Sequence, residues 1–286
     1  MAPMLEQPTA AKLAANPMLP ARYRIKRIRH ETKDTFTLDL DPLDGDGPFC
    51  YAPGQFNMLY IFGIGEVPIS ISGSDGALIR HTTRAVGTVT KAMRDLKRGA
   101  VVGLRGPFGS RWPIKEATGR DVVIAAGGIG LAPLRSALYQ IMAHRSDYGR
   151  VTLLYGARTP EDILFRHELE QWRGKFDLDV YVTVDRAASS WRGMVGVVTK
   201  LVSRAGFDPA HALAMMCGPE VMMRFTMMEL QKRGVATDRI YLSMERNMKC
   251  AMGFCGHCMY GPVFICKDGP IFPFDRISRF FSVAEV

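Results

Sequence analysis

Four of the six cysteines in this 286-residue chain, Cys250, Cys255, Cys258 and Cys266, fall within seventeen residues. Their spacing is C-x4-C-x2-C-x7-C, and Gly253, Gly256 and Gly261 allow the backbone to fold round a compact centre. In a reducing compartment, thiols bunched in this way read as metal ligands rather than disulfides. Two chemistries fit. The C-x4-C-x2-C run is a spacing by which four thiolates hold a 2Fe-2S cluster, and four thiolates also suit tetrahedral structural zinc. Zinc sites favour two short cysteine pairs, so three cysteines in one loop point to the cluster. His257 lies inside the loop, where it could replace or support a ligand; a place beside the ligands or an exposed one is the favoured reading.

A second chemistry is signalled by glycines. Gly127, Gly128 and Gly130, with Pro133 in the helix opening that follows, would let backbone N–H groups meet a pyrophosphate at a helix N-terminus. Glycines that only permit close strand–helix packing are the competing reading, and the flanking apolar strand and periodic helix weigh against it. Cys217, Gly218, Pro219 and Glu220 form a turn expected at the same rim; the thiol there either stands beside a bound ring or is a small buried apolar group. Arg158 and Arg186, each just past a predicted strand end, are candidate partners for a nucleotide 2′-phosphate, although rim arginines are commonly only solvated. Nearer the N-terminus, Pro68, Ile69, Ser70 and Ile71 lie in VPISIS, with Ser70 and Ser72 on one strand face. Gly87, Thr88, Val89 and Thr90 lead into a short helix that could receive a second pyrophosphate. Periodicity alone does not separate these from an ordinary half-exposed strand and turn.

The elements that must hold these residues fall into four stretches. Residues 1–20 read as an irregular leader that could lie on another subunit. Residues 21–115 alternate over short runs such as TFTLDLDP, QFNMLYIFG and AVVGLRGP, separated by Gly, Pro and Asp turns, which predicts a small antiparallel barrel. Residues 116–241 alternate apolar strands (DVVIAAGG, RVTLLYGAR, DLDVYVTVD, ALAMMCGP) with helical segments, which predicts a doubly wound parallel sheet with its crevice at the carboxyl ends of the strands. Residues 242–286 are too few and too rich in Gly, Pro and Phe for a core of their own, so a metal centre is expected to hold them. The fold class is therefore α/β with a β-barrel.

The formal charge of +9 is spread among acidic residues and carries no basic run interleaved with aromatics, which argues against nucleic-acid binding and suits phosphate-bearing ligands or an acidic partner. The N-terminal MAPMLEQPTAAKLAANPMLP lacks an apolar run of signal-peptide length, and Val122 to Leu134 is broken by Gly and Pro. The expectation is a cytoplasmic protein with no membrane span.

Taken in order, VPISISG, GTVTKAM, LRGPFG, AAGGIGLAPL, LLYGAR, MCGPEVM and MKCAMGFCGHC resemble the ferredoxin–NADP reductase superfamily over residues from about 20 to 276. Within it the chain is similar to subunits that append a two-iron cluster: the gamma (diaphorase) subunits of soluble NiFe hydrogenases, or sulfhydrogenases, and the electron-transfer subunit of dihydroorotate dehydrogenase. The resemblance implies FAD between barrel and nucleotide domain, with Ser70 near the reactive flavin edge and Gly87 to Thr90 at its pyrophosphate. It implies NAD(P)H over Gly127 to Gly130 and the Cys217 to Glu220 turn, Ser70 and Cys217 as catalytic residues, and the cysteine quartet as a 2Fe-2S cluster. Flavin would link two-electron hydride chemistry to one-electron transfer. The superfamily's R-x-Y-S motif stands here as Val67-Pro68-Ile69-Ser70, without its Arg and Tyr. The NPMLPARYRI opening and the MERNMKC segment look closest to the hydrogenase subunits. They imply NiFe hydrogenase partners in a hetero-oligomer, with a further iron–sulfur subunit. A dihydroorotate dehydrogenase catalytic subunit or an anaerobic sulfite reductase, whose B subunit is similar, is the runner-up. A zinc-stabilised, non-catalytic interaction module on a nucleotide-binding scaffold is the rival from another class.

Overall fold

The computed structural model describes residues 16–44, 49–281 and 283; most of the expected leader lies outside them. Six strands, β1 (Ala21–His30), β2 (Thr35–Pro42), β3 (Phe56–Ile61), β4 (Gly65–Asp75), β5 (Leu78–Arg84) and β6 (Val101–Phe108), close into an antiparallel barrel in the order β1-β2-β5-β4-β3-β6. Period-two alternation turns Ile25, Phe36, Leu38, Leu40, Leu59, Ile71 and Ile79 into its interior. Closure leaves no free edge. Helix α1 (Thr88–Asp95) lies between β5 and β6 and packs on the barrel through Met93.

The second unit is a seven-stranded sheet. Its parallel strands β7 (Asp121–Gly127), β8 (Val151–Ala157), β9 (Asp179–Val184), β10 (Met194–Val195), β11 (Ala212–Cys217) and β12 (Ile240–Ser243) stand in the order β10-β9-β8-β7-β11-β12. Helices α2 (Leu131–Ala143), α3 (Arg166–Arg173), α4 (Thr199–Val202) and α5 (Glu220–Lys232) make the connections. Strand β7, DVVIAAG, is almost wholly buried because both sheet faces are covered, which is why it reads as a continuous apolar run.

The cysteine-bearing end is woven into this sheet. After a two-residue hairpin, β13 (Met259–Tyr260) and β14 (Val263–Phe264), and a short helix α6 (Ile265–Asp268), strand β15 (Ile271–Pro273) pairs antiparallel with β12. The closing helix α7 (Phe274–Phe281) buries Phe274, Ile277 and Phe281 in the same apolar cluster as Ala214, Met216 and Leu242 of the sheet. Residues 242–281 thus draw much of their stability from the neighbouring core.

The barrel is fixed against the sheet by α2. Arg135, buried on that helix, donates to the Ser72 carbonyl of β4 at 2.7 Å and holds Glu168 of α3 through two bonds of 2.6 and 2.7 Å. Trp112 Nε1 donates to the Pro133 carbonyl at 3.0 Å. Among the described residues no helix is long and apolar enough to cross a membrane.

Candidate functional site

Where the barrel meets the carboxyl ends of the sheet strands there is a cleft of about 1060 Å³, at the upper end of the size found for single-ligand pockets. One wall comes from the barrel: Pro68, Ile69 and Ser70 of β4, Thr82, Thr83 and Arg84 of β5, and Thr90 of α1. The other comes from the sheet rim: Gly127 at the end of β7 with Gly128, Gly130 and Pro133 beyond it, Arg158 after β8, and Cys217 at the end of β11 with Gly218 and Pro219 beyond it. Two groups of expected site residues from separate parts of the chain, 68–90 and 127–219, therefore face one space.

The glycine turn is built for close approach. Gly128 has a positive φ of 54°, which a glycine adopts without strain, and a Cβ added there would meet open space. Gly130 has the opposite requirement: its Cβ would overlap the carbonyl of Cys217. The glycine cluster therefore serves packing at Gly130 and leaves backbone open to a ligand at Gly128, so the two readings of the motif apply to different residues. The turn passes directly into α2, whose N-terminus opens on the cleft and favours an anion.

Several expected residues lie elsewhere. Ile71 points into the barrel interior, fully buried among Ile25, Leu59 and Ile79, because neighbouring residues of a strand face opposite sides. Ser72 is also buried, bonded to Thr82 Oγ1 at 2.9 Å. At α1 the Thr90 hydroxyl accepts the amides of Val86 and Gly87 at 3.1 and 3.0 Å and donates to the Gly87 carbonyl at 3.1 Å. That local cap engages the Gly87 amide, and the cleft is lined by Val86 and Thr90 rather than by Gly87, Thr88 or Val89. Glu220 turns to Arg224, one turn along α5, at 2.9 Å; Val221 and Met222 line the cleft instead. Arg186 is not among the lining residues, whereas Arg158 is, with Asp162 at 3.4 Å.

The cleft also contains residues that no motif announced. Arg84 stands at its edge, paired with Asp34 at 2.6 Å. It supplies a cation to the barrel wall whose R-x-Y-S arginine is missing; its position just before the Gly87 turn was the available signal. Thr83 Oγ1 is buried beside the cleft without a hydrogen-bond partner, as expected of a group that meets a ligand. Ser243, Met244, Glu245 and Met248 form the floor. Behind Ser70, His81 is fully buried between the Ser70 carbonyl (Nδ1, 3.0 Å) and Asn57 Nδ2 (Nε2, 3.1 Å). Burial lowers its pKa to about 4, against the opposing effect of the Ser70 and Ile69 carbonyls, so the ring is neutral and donates through Nδ1. Burial pushes the Cys217 thiol up to about 12, with an opposing hydrogen bond from Ser243. Cys217 is thus a neutral, compact group on the sheet wall of the cleft and no thiolate nucleophile.

The cysteine loop begins two residues beyond Met248. Cys250 Sγ accepts three backbone amides, from Met252 at 3.3 Å, Phe254 at 3.3 Å and Cys255 at 3.4 Å, and Cys266 Sγ accepts the Gly253 amide at 3.0 Å. Positive φ values at Ala251 (65°), Gly253 (69°) and Gly256 (82°) turn those amides inward. The Cys255 thiol interacts with Cys250, and the Cys266 thiol with both Cys258 and Cys250. Among the described residues no three Cys, His, Asp or Glu side chains converge as they would round a single ion. Four thiols in one loop, with backbone amides turned toward Cys250 and Cys266, fit a centre of two irons held by four thiolates. The amide of His257 is the main influence holding the Cys255 thiol down to about 7, so His257 acts on the loop through its backbone.

Comparison with known proteins agrees with this geometry. Residues 124–227 match the oxidoreductase NAD-binding domain family, and residues 245–278 match the iron–sulfur cluster binding domain of dihydroorotate dehydrogenase B. The latter overturns the zinc-module reading. The chain is 35% identical to the sulfhydrogenase 2 gamma subunit of Pyrococcus furiosus, over 92% of this chain and 98% of that one. It is 32% identical to a probable dihydroorotate dehydrogenase B (NAD(+)) electron transfer subunit of Methanocaldococcus jannaschii, over 91% of each. In fold it is similar to the structure of an NADH-dependent reduced ferredoxin-NADP oxidoreductase, with a TM-score of 0.71 and 24% identity over 95% of this chain and 96% of that one.

Proposed function

We propose, because this chain belongs to the family of NAD(P)H-linked electron-transfer subunits that includes sulfhydrogenase gamma subunits, that it exchanges electrons between NAD(P)H and a NiFe hydrogenase. The observation that carries the reading is continuity. Met248 is in the floor of the cleft and Cys250 begins the cysteine loop, and two residues span at most about 7 Å. On this reading the floor of the hydride site and the first ligand of the one-electron site belong to one short segment.

FAD, when bound, supplies the exchange between hydride and single electrons. The protein's contribution is placement. Ser70 and the unpartnered Thr83 hydroxyl offer polar contacts on the barrel wall, and Arg84 offers a cation for a phosphate. The Gly128 backbone and the start of α2 receive the nicotinamide nucleotide's pyrophosphate. Neutral Cys217 fills the space beside the nicotinamide without competing as a nucleophile. Arg158, at the carboxyl end of β8, is the cation positioned for a 2′-phosphate. The cysteine quartet holds the 2Fe-2S cluster as the port to the partner in a hetero-oligomer. The same reading locates the protein in the cytoplasm, where the thiols stay reduced.

A second partner, a dihydroorotate dehydrogenase catalytic subunit, is favoured by the iron–sulfur domain match and by the archaeal electron transfer relatives. Purifying the affinity-tagged chain from its own cells under anaerobic conditions decides between them. Flavin and iron–sulfur absorption bands together with NiFe hydrogenase subunits support the proposal. Zinc without those bands would refute the cofactor assignment, and recovery of a dihydroorotate-oxidising enzyme would replace the partner.

A further inference from the structure

Arg105, on β6, reaches from the barrel into the cysteine loop, and its side chain is only 2% exposed. Its five N–H donors meet six acceptors, the weakest of them Met18 Sδ, 3.5 Å from Nη1. Nε and Nη2 hold the two carboxylate oxygens of Glu66, on β4, at 2.8 and 2.6 Å. Nη2 also donates to the Lys249 carbonyl at 3.3 Å, and Nη1 donates to the carbonyls of Cys250 at 3.2 Å and Pro17 at 3.1 Å. The guanidinium further lies 5.6 Å from the centre of the Phe108 ring. A buried charge is tolerated only with such complete pairing, and the pairing here is unsymmetrical. Glu66 lies on the barrel side, while the carbonyls of the first loop cysteine and its neighbour lie on the other.

We propose that Arg105 is the positioning residue for Cys250, and that its fixed charge makes the centre held by that cysteine easier to reduce. The inference rests on reading the loop as a 2Fe-2S site. Adding an electron to the cluster creates negative charge close to a guanidinium in a region screened from water, where Coulombic interactions are strong. Hydrogen bonding and local charge are the protein's means of setting such potentials. Glu66 opposes the effect, so the two members of the ion pair should act with opposite sign, which a merely structural strut would not do.

The test is an EPR-monitored redox titration of the anaerobically purified holoprotein, with iron and flavin content measured on each sample. Arg105→Met should shift the reduction equilibrium at least tenfold toward the oxidised cluster, a fall of about 59 mV for a one-electron couple. Glu66→Gln should raise the midpoint. An unchanged midpoint in fully loaded Arg105→Met, or shifts of the same sign in both variants, would overturn the proposal. If Arg105→Met takes up no cluster, Glu66→Gln decides alone, and a midpoint that stays or falls overturns it. Wild-type protein without iron–sulfur bands would instead remove the underlying reading of the loop.

Discussion

Gly130 and Cys217 touch backbone to backbone: a Cβ on Gly130 would overlap the Cys217 carbonyl and crowd the Gly218 amide. The contact brings the turn after β7 against the turn after β11 and so sets the width of the rim on which the nucleotide is to lie. Overpacking at such a point costs about 1–3 kcal/mol. Gly130→Ala is expected to raise the KM for NAD(P)H roughly tenfold, with iron content unchanged. Steady-state oxidation of NAD(P)H with a dye acceptor checks it.

Arg158 should decide between the two nicotinamide nucleotides. A hydrogen bond to a charged group is worth about 1.5–3 kcal/mol, so Arg158→Ala should weaken NADPH by tenfold or more and leave NADH within about twofold. Equal losses for both, in parallel KM measurements, would mean that Arg158 meets a part common to the two.

Cys217 is held neutral by burial, with its pKa near 12. NAD(P)H-dependent flavin reduction should therefore show no rise attributable to a thiolate between pH 7 and 9. Cys217→Ser should retain that flat profile even where its rate is lower. A pH step present in wild type and lost in Cys217→Ser would count against a neutral role.

His81 has a folded pKa of about 4 against an ordinary value of 6.5. Between those values the unfolded chain binds the proton and the native chain does not, so the stability associated with a neutral His81 is full above pH 6.5 and is lost as pH falls toward 4. The difference is on the order of 3 kcal/mol. Denaturant midpoints measured from pH 7 to 4.5 should fall more steeply for wild type than for His81→Gln, and parallel curves would contradict the assignment.

Much of this molecule is legible in its sequence because its signals are local. The apolar run of β7 ending in glycines, the alternation of the barrel strands and the C-x4-C-x2-C spacing each lie within a dozen residues. What escapes reading depends on contacts between distant segments. Ile271–Pro273 is too short to announce a strand and becomes one only because β12 offers it an edge. Thr90 belongs with Gly87 to the turn expected to receive a pyrophosphate, and the local use of its hydroxyl, which engages the Gly87 amide, leaves no mark in the sequence. Arg84 is held at the cleft by Asp34, fifty residues earlier, and Arg105 meets the cysteine loop through a contact 145 residues along the chain. Periodicity carries no record of such approaches.

The central claim is that the cleft handles hydride and the cysteine loop passes on single electrons. Cys255→Ser separates the two, because Cys255 is in the loop and outside the cleft lining. Anaerobic stopped-flow mixing with NAD(P)H should bleach the flavin band of Cys255→Ser at close to the wild-type rate, while electron delivery to the co-purified partner falls to background. Equal loss of both steps would contradict the proposed order of carriers.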